Sequence, residues 1–558
     1  MKERWRAAVR RSRALTRARL LRFNWLARTG AHQDFSAFLR PEAEWRAALE
    51  AARDGERVLI ATNTGGHFAL AGIDRLLAAA LTLRGAAVTS VLCDETLPAC
   101  QMCEYALTPD VGAFARKGPD GLLCGYCYGP AASRLAALGL AGVRLSDLIS
   151  AQDRLDARAL AREADIEKCG SLIWRGLPVG EHALAGALRF FARGDLRSEP
   201  RGEAVLRRYI ESAALSSSAY MTLIDRSEPR VLVAHHGLYT PQGLAAAAAR
   251  ASGVRIVTWN PAYRRSCFIF SHDDSYHHTL MDENWTPRSL NALEAAHTRA
   301  YLESRRRGAG DWIHFNRGEG SITSLAEIGL DPVKPLALAL TNVFWDAQLH
   351  YPKNAFTDQL AWLKATIDAI APREDLQLAI RVHPAELSGS PPTRQPAEAA
   401  LAAIYPTLPN NVRVIGPECA ISSYGLAELA NVALIYGTKM GVELSAAGLP
   451  VIVAGEAWVR GKGFTWDVVS AEEYAAALAA LPLSARLSPE KQALALEYAH
   501  HFFFGRMIEL EFVEPAQGAR RFNVAARSLG DLRPGASHGL DVICAGILEG
   551  GPFVASLV

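Results

Sequence analysis

The chain has 558 residues, half of them hydrophobic, and a net charge of only +2. That length exceeds a single hydrophobic core, so two or more domains are expected. The apolar content excludes a disordered chain, and the near-neutral balance excludes a molecule built throughout to hold a polyanion, so no nucleic-acid partner is expected.

Charge is nonetheless uneven at the amino end. Lys2, Arg4, Arg6, Arg10, Arg11, Arg13, Arg17, Arg19, Arg22 and Arg28 stand against Glu3 alone, with Trp5, Leu20, Leu21, Phe23 and Trp25 interleaved. Segment 1–30 therefore reads as basic and amphipathic. Residues 1–28 suit an anionic membrane surface, with a solvated basic helix packed on its own protein as the alternative. No apolar run reaches membrane-spanning length, and a signal peptide's uninterrupted apolar core is missing. A cytoplasmic protein, peripheral on the inner face of the plasma membrane, is expected.

Residues 57–61 predict a strand, 63–67 a turn, 68–83 an Ala/Leu-rich helix and 87–92 a second strand. Gly65 and Gly66 lack the full dinucleotide fingerprint and read as glycines for close strand-to-helix packing, or as part of an acceptor site. A cysteine-rich insertion, about 93–130, follows. Cys100-Gln101-Met102-Cys103 and Cys124-Gly125-Tyr126-Cys127 form two C-x-x-C pairs, with Cys93 just before them. Two such pairs predict a structural four-thiolate zinc site, each pair folded as a knuckle; an iron–sulfur cluster using Cys93 and disulfides are the alternatives.

Residues 138–228 read as mostly helical. A strand at 231–234 ends in His235-His236-Gly237, and a helix at 244–251 leads to a strand at 254–259. A histidine at a strand end can take a proton from an attacking hydroxyl, so His236 and His235 are candidate bases, against an ordinary structural role. His272, Asp273 and Asp274 read as a solvated polar loop.

Gly, Glu, Ser and Pro gather over 318–334, and the domain boundary is placed at 325/326. The first domain is thus 31–325 and the second 326–486, with a helix and tail over 487–558. Strands are predicted at 336–340, 376–382, 412–415, 432–436 and 450–454, with helices at 356–370, 424–430 and 487–507. Strands alternating with helices predict an α/β fold with two doubly wound parallel sheets.

Two stretches of the second series end apolar strands in polar residues: Arg381-Val382-His383-Pro384-Ala385-Glu386 and Tyr436-Gly437-Thr438-Lys439-Met440-Gly441-Val442-Glu443. In an open α/β sheet, ligands bind at that edge. An imidazole beside a glycine turn that opens a helix suits a phosphate, and an acid in the first turn can accept from ribose hydroxyls. Asn342, Trp345 and Asp346 either touch the donor or cap a helix. Lys462 and Gly463 lie in a glycine loop that either approaches a phosphate or is an ordinary loop.

The 381–386 stretch, the 436–443 stretch and Gly448-Leu449-Pro450-Val451-Ile452 together resemble the donor half of GT-B glycosyltransferases. The chain looks most like bacterial capsular polysaccharide biosynthesis proteins. These are akin to 3-deoxy-manno-octulosonate transferases, and more distantly to sialyltransferases and teichoic-acid glycerophosphotransferases. The resemblance covers about 335–470, and more weakly 57–92 and 230–280. It implies two Rossmann-like domains facing a cleft, with the cysteine insertion as a departure from the group. It implies a nucleotide-sugar donor, CMP-linked before UDP-linked, and a glycan or lipid-linked acceptor, with catalysis that needs no metal. By the resemblance, His383 contacts the donor phosphate beside Arg381, Pro384 and Glu386. Thr438 fills a place often taken by a small hydroxyl residue, between Gly437 and Gly441, while Lys439 is bulkier than usual there. Lys462 and Gly463 support the departing phosphate, Glu443 anchors the ribose, and His236 leads His235 as base. A nucleotide-sugar epimerase of the same fold and a non-catalytic metal-bearing scaffold are the rival expectations.

Overall fold

The computed structural model describes residues 12–40, 42–280, 283–313, 322–347, 349, 351–389, 391–483, 485–516 and 521–555. Residues 1–11, which carry half of the basic amino-terminal cations, and 314–321, at the start of the expected linker, lie outside them. The chain divides into two units. Unit 1 comprises residues 1–191, 195–276 and 506–558, and unit 2 comprises 192–194 and 277–505.

Unit 1 is built on β1 (Arg57–Asn63), β2 (Ala87–Leu92), β3 (Ala141–Arg144), β4 (Val231–His235), β5 (Arg255–Pro261) and β6 (Cys267–His272). Their order is β6-β5-β4-β1-β2-β3. β1 to β5 pair in parallel and β6 runs antiparallel to β5. The central strands are apolar and buried on both faces, as strands covered by helices on two sides must be. The chain winds outward from β1 through β2 to β3, then returns to β4 on the other side of β1. That reversal is a topological switch point, and the carboxyl ends of β1 and β4 flank it.

Unit 2 repeats the scheme with β7 (Leu336–Leu340), β8 (Gln377–Arg381), β9 (Val412–Ile415), β10 (Val432–Ile435), β11 (Val451–Val453) and β12 (Trp466–Asp467). All five pairings are parallel, in the order β12-β11-β10-β7-β8-β9. Its switch point lies between β7 and β10. Trp362, Leu363 and Ile367 of the helix Gln359–Ile370 fill one side of its core, with Tyr474 from the helix Ala471–Ala479. Two doubly wound α/β sheets are therefore observed, as the alternation of elements predicts.

The partition differs from the expected boundary at 325/326. The helix Ala292–Arg306 belongs to unit 2 because it packs on the helix Pro489–His500, where Thr298 Oγ1 and His500 Nδ1 are 2.8 Å apart. The tail is not separate. Strand β13 (Ile508–Glu509) extends the unit 1 sheet beside β6. The helix His538–Glu549 is tied to unit 1 by the Arg84–Asp541 ion pair at 2.5 Å. The expected helix at 487–507 is α-helical only over Pro489–His500 and continues as a π-helical turn over His501–Arg506.

Among the described residues, no helix is long and apolar enough to cross a membrane. The helix Arg13–Leu26 rests on the cysteine-bearing helix Gly121–Ala136, where Asn24 Nδ2 donates to the Leu122 carbonyl at 2.6 Å. Its buried side is Thr16 and Leu20, while Leu15, Leu21 and Trp25 are exposed among Arg17, Arg19 and Arg22.

Candidate functional sites at two switch points

In unit 2, His383 follows β8 at the carboxyl edge of the sheet. Its backbone N–H donates to Thr341 Oγ1, just beyond β7, at 3.0 Å. Its ring Nδ1 accepts the Ala385 N–H at 3.0 Å. The neutral ring therefore carries its proton on Nε2, as a donor. Burial first, then the charges of Lys439 and Arg381, push the His383 pKa down to about 4. The imidazole is neutral near pH 7 and sits in a positive local potential.

The turn after β10 adjoins it. Gly437 is exposed and its N–H donates to Asn342 Oδ1 at 3.3 Å, across the switch point. Thr438 is buried, and its hydroxyl accepts the Met440 N–H at 3.4 Å, closing a local turn. The helix Met440–Ala446 then begins, with Glu443 in its first turn. A Cβ on Gly441 would lie 2.8 Å from Ile435 Cδ1 and 3.0 Å from Val459 Cγ2, so glycine lets this helix press against β10.

Glu443 is committed to protein partners. Its carboxylate meets Arg305 Nε at 3.2 Å and Lys439 Nζ at 3.6 Å, and accepts from the Tyr424 hydroxyl. Burial would raise its pKa, but Arg305, then Lys439 and Tyr424, hold it below the ordinary value. Burial first, then Arg305, brings Lys439 down to about 8. Arg305 also pairs with Asp311. A ribose hydroxyl would have to displace one of Glu443's partners.

The other expected donor residues have structural partners too. The Arg381 guanidinium donates to the carbonyls of Ile415, Gly416 and Cys419, binding β8 to the turn after β9. Pro384 leads into the short helix Ala385–Ser388. Glu386 accepts the Ala397 N–H at 3.0 Å, at the start of the helix Ala397–Ile404, and burial raises its pKa to about 7. Lys462 is buried, donates to the Glu283 carbonyl at 2.9 Å and lies 5.5 Å over the Tyr498 ring, beside Gly463 in the left-handed region. The structure thus gathers His383, Gly437, Thr438 and Lys439 around the switch point and gives Arg381, Glu386 and Lys462 framework contacts.

Unit 1 carries a histidine cluster at its own switch point. His236 follows β4 with φ +70°, a left-handed conformation uncommon outside glycine, although asparagine, aspartate and histidine adopt it more readily than other residues. Its N–H donates to the Trp259 carbonyl at 3.0 Å. Its ring lies 5.4 Å from that of His235 and 5.2 Å from that of Tyr239. His235 is buried against Trp259, and burial, then the charge of His67, lowers its pKa to about 3. His67 ends the glycine turn after β1; burial, then Arg189, lowers it to about 3. Asp74, on the helix Phe68–Thr82 that follows this turn, accepts from Trp259 Nε1 at 3.1 Å, and burial raises it to about 7. His67 and Asp74 were not among the expected site residues. Their signal was position: His67 follows the strand that the sheet places beside β4.

The cysteine segment supports this edge. Cys127 Sγ accepts the Gly66 N–H at 3.3 Å. A Cβ on Gly66 would lie 2.7 Å from Met102 Cε and 2.8 Å from Tyr126 Cε2, so this glycine admits the cysteine segment against the turn. Cys100 and Cys103 Sγ are 3.9 Å apart. Two thiolates on one tetrahedral zinc at about 2.3 Å are about 3.8 Å apart, so this pair fits one edge of a zinc site. Burial, then the charge of Cys100, raises the thiols of Cys93 (to about 12), Cys124 and Cys127. The second expected knuckle is instead helical: Cys124 and Cys127 lie in the helix Gly121–Ala136, because Asp120 caps its first turn. Among the described residues, no three His, Cys, Asp or Glu side chains are gathered as a metal site.

No family model and no curated protein matches the sequence. Among solved structures, the chain is similar to the beta Kdo 2,4 transferase KpsC of Thermosulfurimonas dismutans. That match has 15% identity over 48% of this chain and 79% of that chain, with a TM-score of 0.33. It is also similar to the glycotransferase of kitacinnamycin (13% identity, 80% and 94% coverage, TM-score 0.21). A third is the UDP-GlcNAc 2-epimerase of Neisseria meningitidis bound to UDP-GlcNAc (10%, 80% and 95%, TM-score 0.22). Likenesses this distant carry no argument about activity.

Proposed function

We propose that the protein is a glycosyltransferase that uses a nucleotide-linked sugar, with a CMP-linked donor favoured over a UDP-linked one. The acceptor is a surface glycan such as a growing capsule chain, free or lipid-linked. The observation that carries this reading is His383. It is a neutral imidazole with Nε2–H as donor, at a strand end, in a potential made positive by Lys439 and Arg381. A neutral N–H donor flanked by two cations suits a phosphate oxygen. The sequence resemblance in 381–386 and 436–443 supplies the sugar-transfer chemistry.

In the proposed reaction, the bond between the sugar carbon and the nucleotide phosphate breaks. A bond forms from that carbon to the acceptor oxygen. The acceptor proton passes to His236, and His383 stabilises the departing phosphate. The left-handed backbone at His236 supports its role, since strained residues cluster at functional sites.

A thermal-shift screen of CMP, UDP, GDP and CDP compounds tests the donor class. His383→Ala is expected to weaken nucleotide binding by about 1–3 kcal/mol, the scale of a charge-assisted hydrogen bond. Calorimetry that finds unchanged affinity removes His383 from the site. Isomerisation of a nucleotide sugar without acceptor would replace the transferase reading with an epimerase.

The proposal extends to a structural zinc on Cys100 and Cys103, whose separation fits one edge of the site, with Cys124 and Cys127 drawn in to complete it when the ion binds. Bound zinc would fasten the segment that buttresses Gly66. Elemental analysis of protein purified without added metal is expected to find about one zinc per chain. Cys100→Ser with Cys103→Ser is expected to lose it and lower the melting temperature. Metal-free protein with unchanged melting would discard the ion, and iron with visible absorbance would make it a cluster.

A further inference from the structure

A cavity of 660 Å³ opens in unit 1 among the helices beyond β2. Its volume lies within the roughly 300–1,000 Å³ of small-molecule sites. Seven cationic side chains line it against two carboxylates, Glu95 and Glu211. In a protein of net charge +2, that local excess is far from the average.

Three elements bring the cations together. Arg154, Arg158 and Arg162 recur every fourth residue on the helix Ala151–Glu163, so they share one face. Like charges at that spacing destabilise a helix, so helix stability does not explain the row. The helix Gly202–Ser227 adds Arg207 and Arg208, and the end of the helix Val111–Lys117 adds Arg116 and Lys117.

The inner arginines are held in place. Arg207 donates to Glu203 at 2.8 Å and to the Ala161 and Arg162 carbonyls. Arg208 meets the buried Glu211 at 2.7 Å, and Arg158, itself exposed at the rim, shares that carboxylate at 3.3 Å. Arg154 donates to Thr96 Oγ1 at 2.8 Å. At the rim, the exposed Arg116, Lys117 and Arg162 side chains make no hydrogen bond or ion pair with any described residue. Guanidinium groups fixed by carboxylates below, with uncompensated cations around the mouth, are an arrangement that receives a multivalent oxyanion.

We propose that this cavity binds a diphosphate group. The inference stands independently of the donor site, which lies in unit 2. The same chemistry occurs as a free diphosphate and as the diphosphate head of a lipid-linked molecule. Calorimetry on the full chain distinguishes them, with pyrophosphate as one probe and farnesyl diphosphate in phosphatidylcholine vesicles as the other.

Pyrophosphate is expected to bind, and more weakly as salt rises from 50 to 200 mM. Substituting Arg116→Ser, Lys117→Ser and Arg162→Ser together is expected to lower the affinity tenfold or more. These side chains make no hydrogen bond or ion pair with a described residue, so the fold is expected to persist, and an unchanged melting temperature checks this. Farnesyl diphosphate binding tenfold tighter than pyrophosphate, with empty vesicles inert, assigns the site to a lipid-linked ligand. Equal affinity assigns it to the free anion. Binding of neither probe, or binding indifferent to the triple substitution, overturns the proposal.

Discussion

In the proposed reaction, replacing His236 by asparagine is expected to lower turnover by about 100-fold or more while nucleotide binding survives, the usual cost of losing a general base. Asparagine is the informative substitute because the residue has φ +70°, which asparagine tolerates better than alanine. The N–H bond to the Trp259 carbonyl is kept, so the turn after β4 stays in place. What is lost is a titratable ring nitrogen. Steady-state kinetics with saturating donor reads the effect, and nucleotide calorimetry serves as the control. Near-normal turnover would move the role to His235 or His67, which share the same sheet edge. Both have pKa values held near 3, which makes them weak bases at neutral pH.

Replacing Arg305 by alanine is expected to destabilise unit 2 by about 3–5 kcal/mol, the scale for breaking a buried ion pair from one side. Arg305, Asp311 and Glu443 have side chains only 3–4% exposed. Removing the guanidinium leaves two carboxylates with Lys439 and the hydroxyls of Tyr424 and Tyr301, in surroundings that solvate charge poorly. The double replacement Arg305→Met with Glu443→Leu is expected to recover much of the loss, because it removes charge from both sides. Urea denaturation followed by tryptophan fluorescence measures both. A loss below about 1 kcal/mol for Arg305→Ala would mean that the network relaxes or admits water. Arg305→Ala is also expected to raise the Lys439 pKa above about 8, since Arg305 is the second cause of its depression after burial.

The two sheets were legible because parallel strands covered on both faces need uninterrupted apolar runs. Leu336–Leu340, buried at every position, matches the sequence reading end to end. The strands at the margins were not legible. Ala141–Arg144 is an edge strand with mostly exposed residues, and Cys267–His272 runs antiparallel after an irregular turn. The first lacks the pattern of a buried central strand, and the second, a short apolar run buried between β5 and β13, falls outside the strand–helix alternation that marked the parallel strands. The second cysteine pair misled for a related reason. C-x-x-C spacing is satisfied equally by a knuckle and by one turn of helix, and the cap at Asp120 selects the helix.

For the candidate sites, the sequence by itself determined which residues stand at strand ends. His383, Gly437 and His236 follow from short-range order, since each comes directly after an apolar run. Only the tertiary structure decided which strand ends are neighbours. It set β4 beside β1, bringing His67 to His235, and β10 beside β7, bringing Gly437 to Asn342. It also decided that Glu443 is met by Arg305, far earlier in the chain, and that arginines of two helices and the cations ending a third share one cavity. Periodicity records which face of an element is apolar, whereas the partner of a buried charge is chosen by strand order and helix packing, which no local pattern encodes.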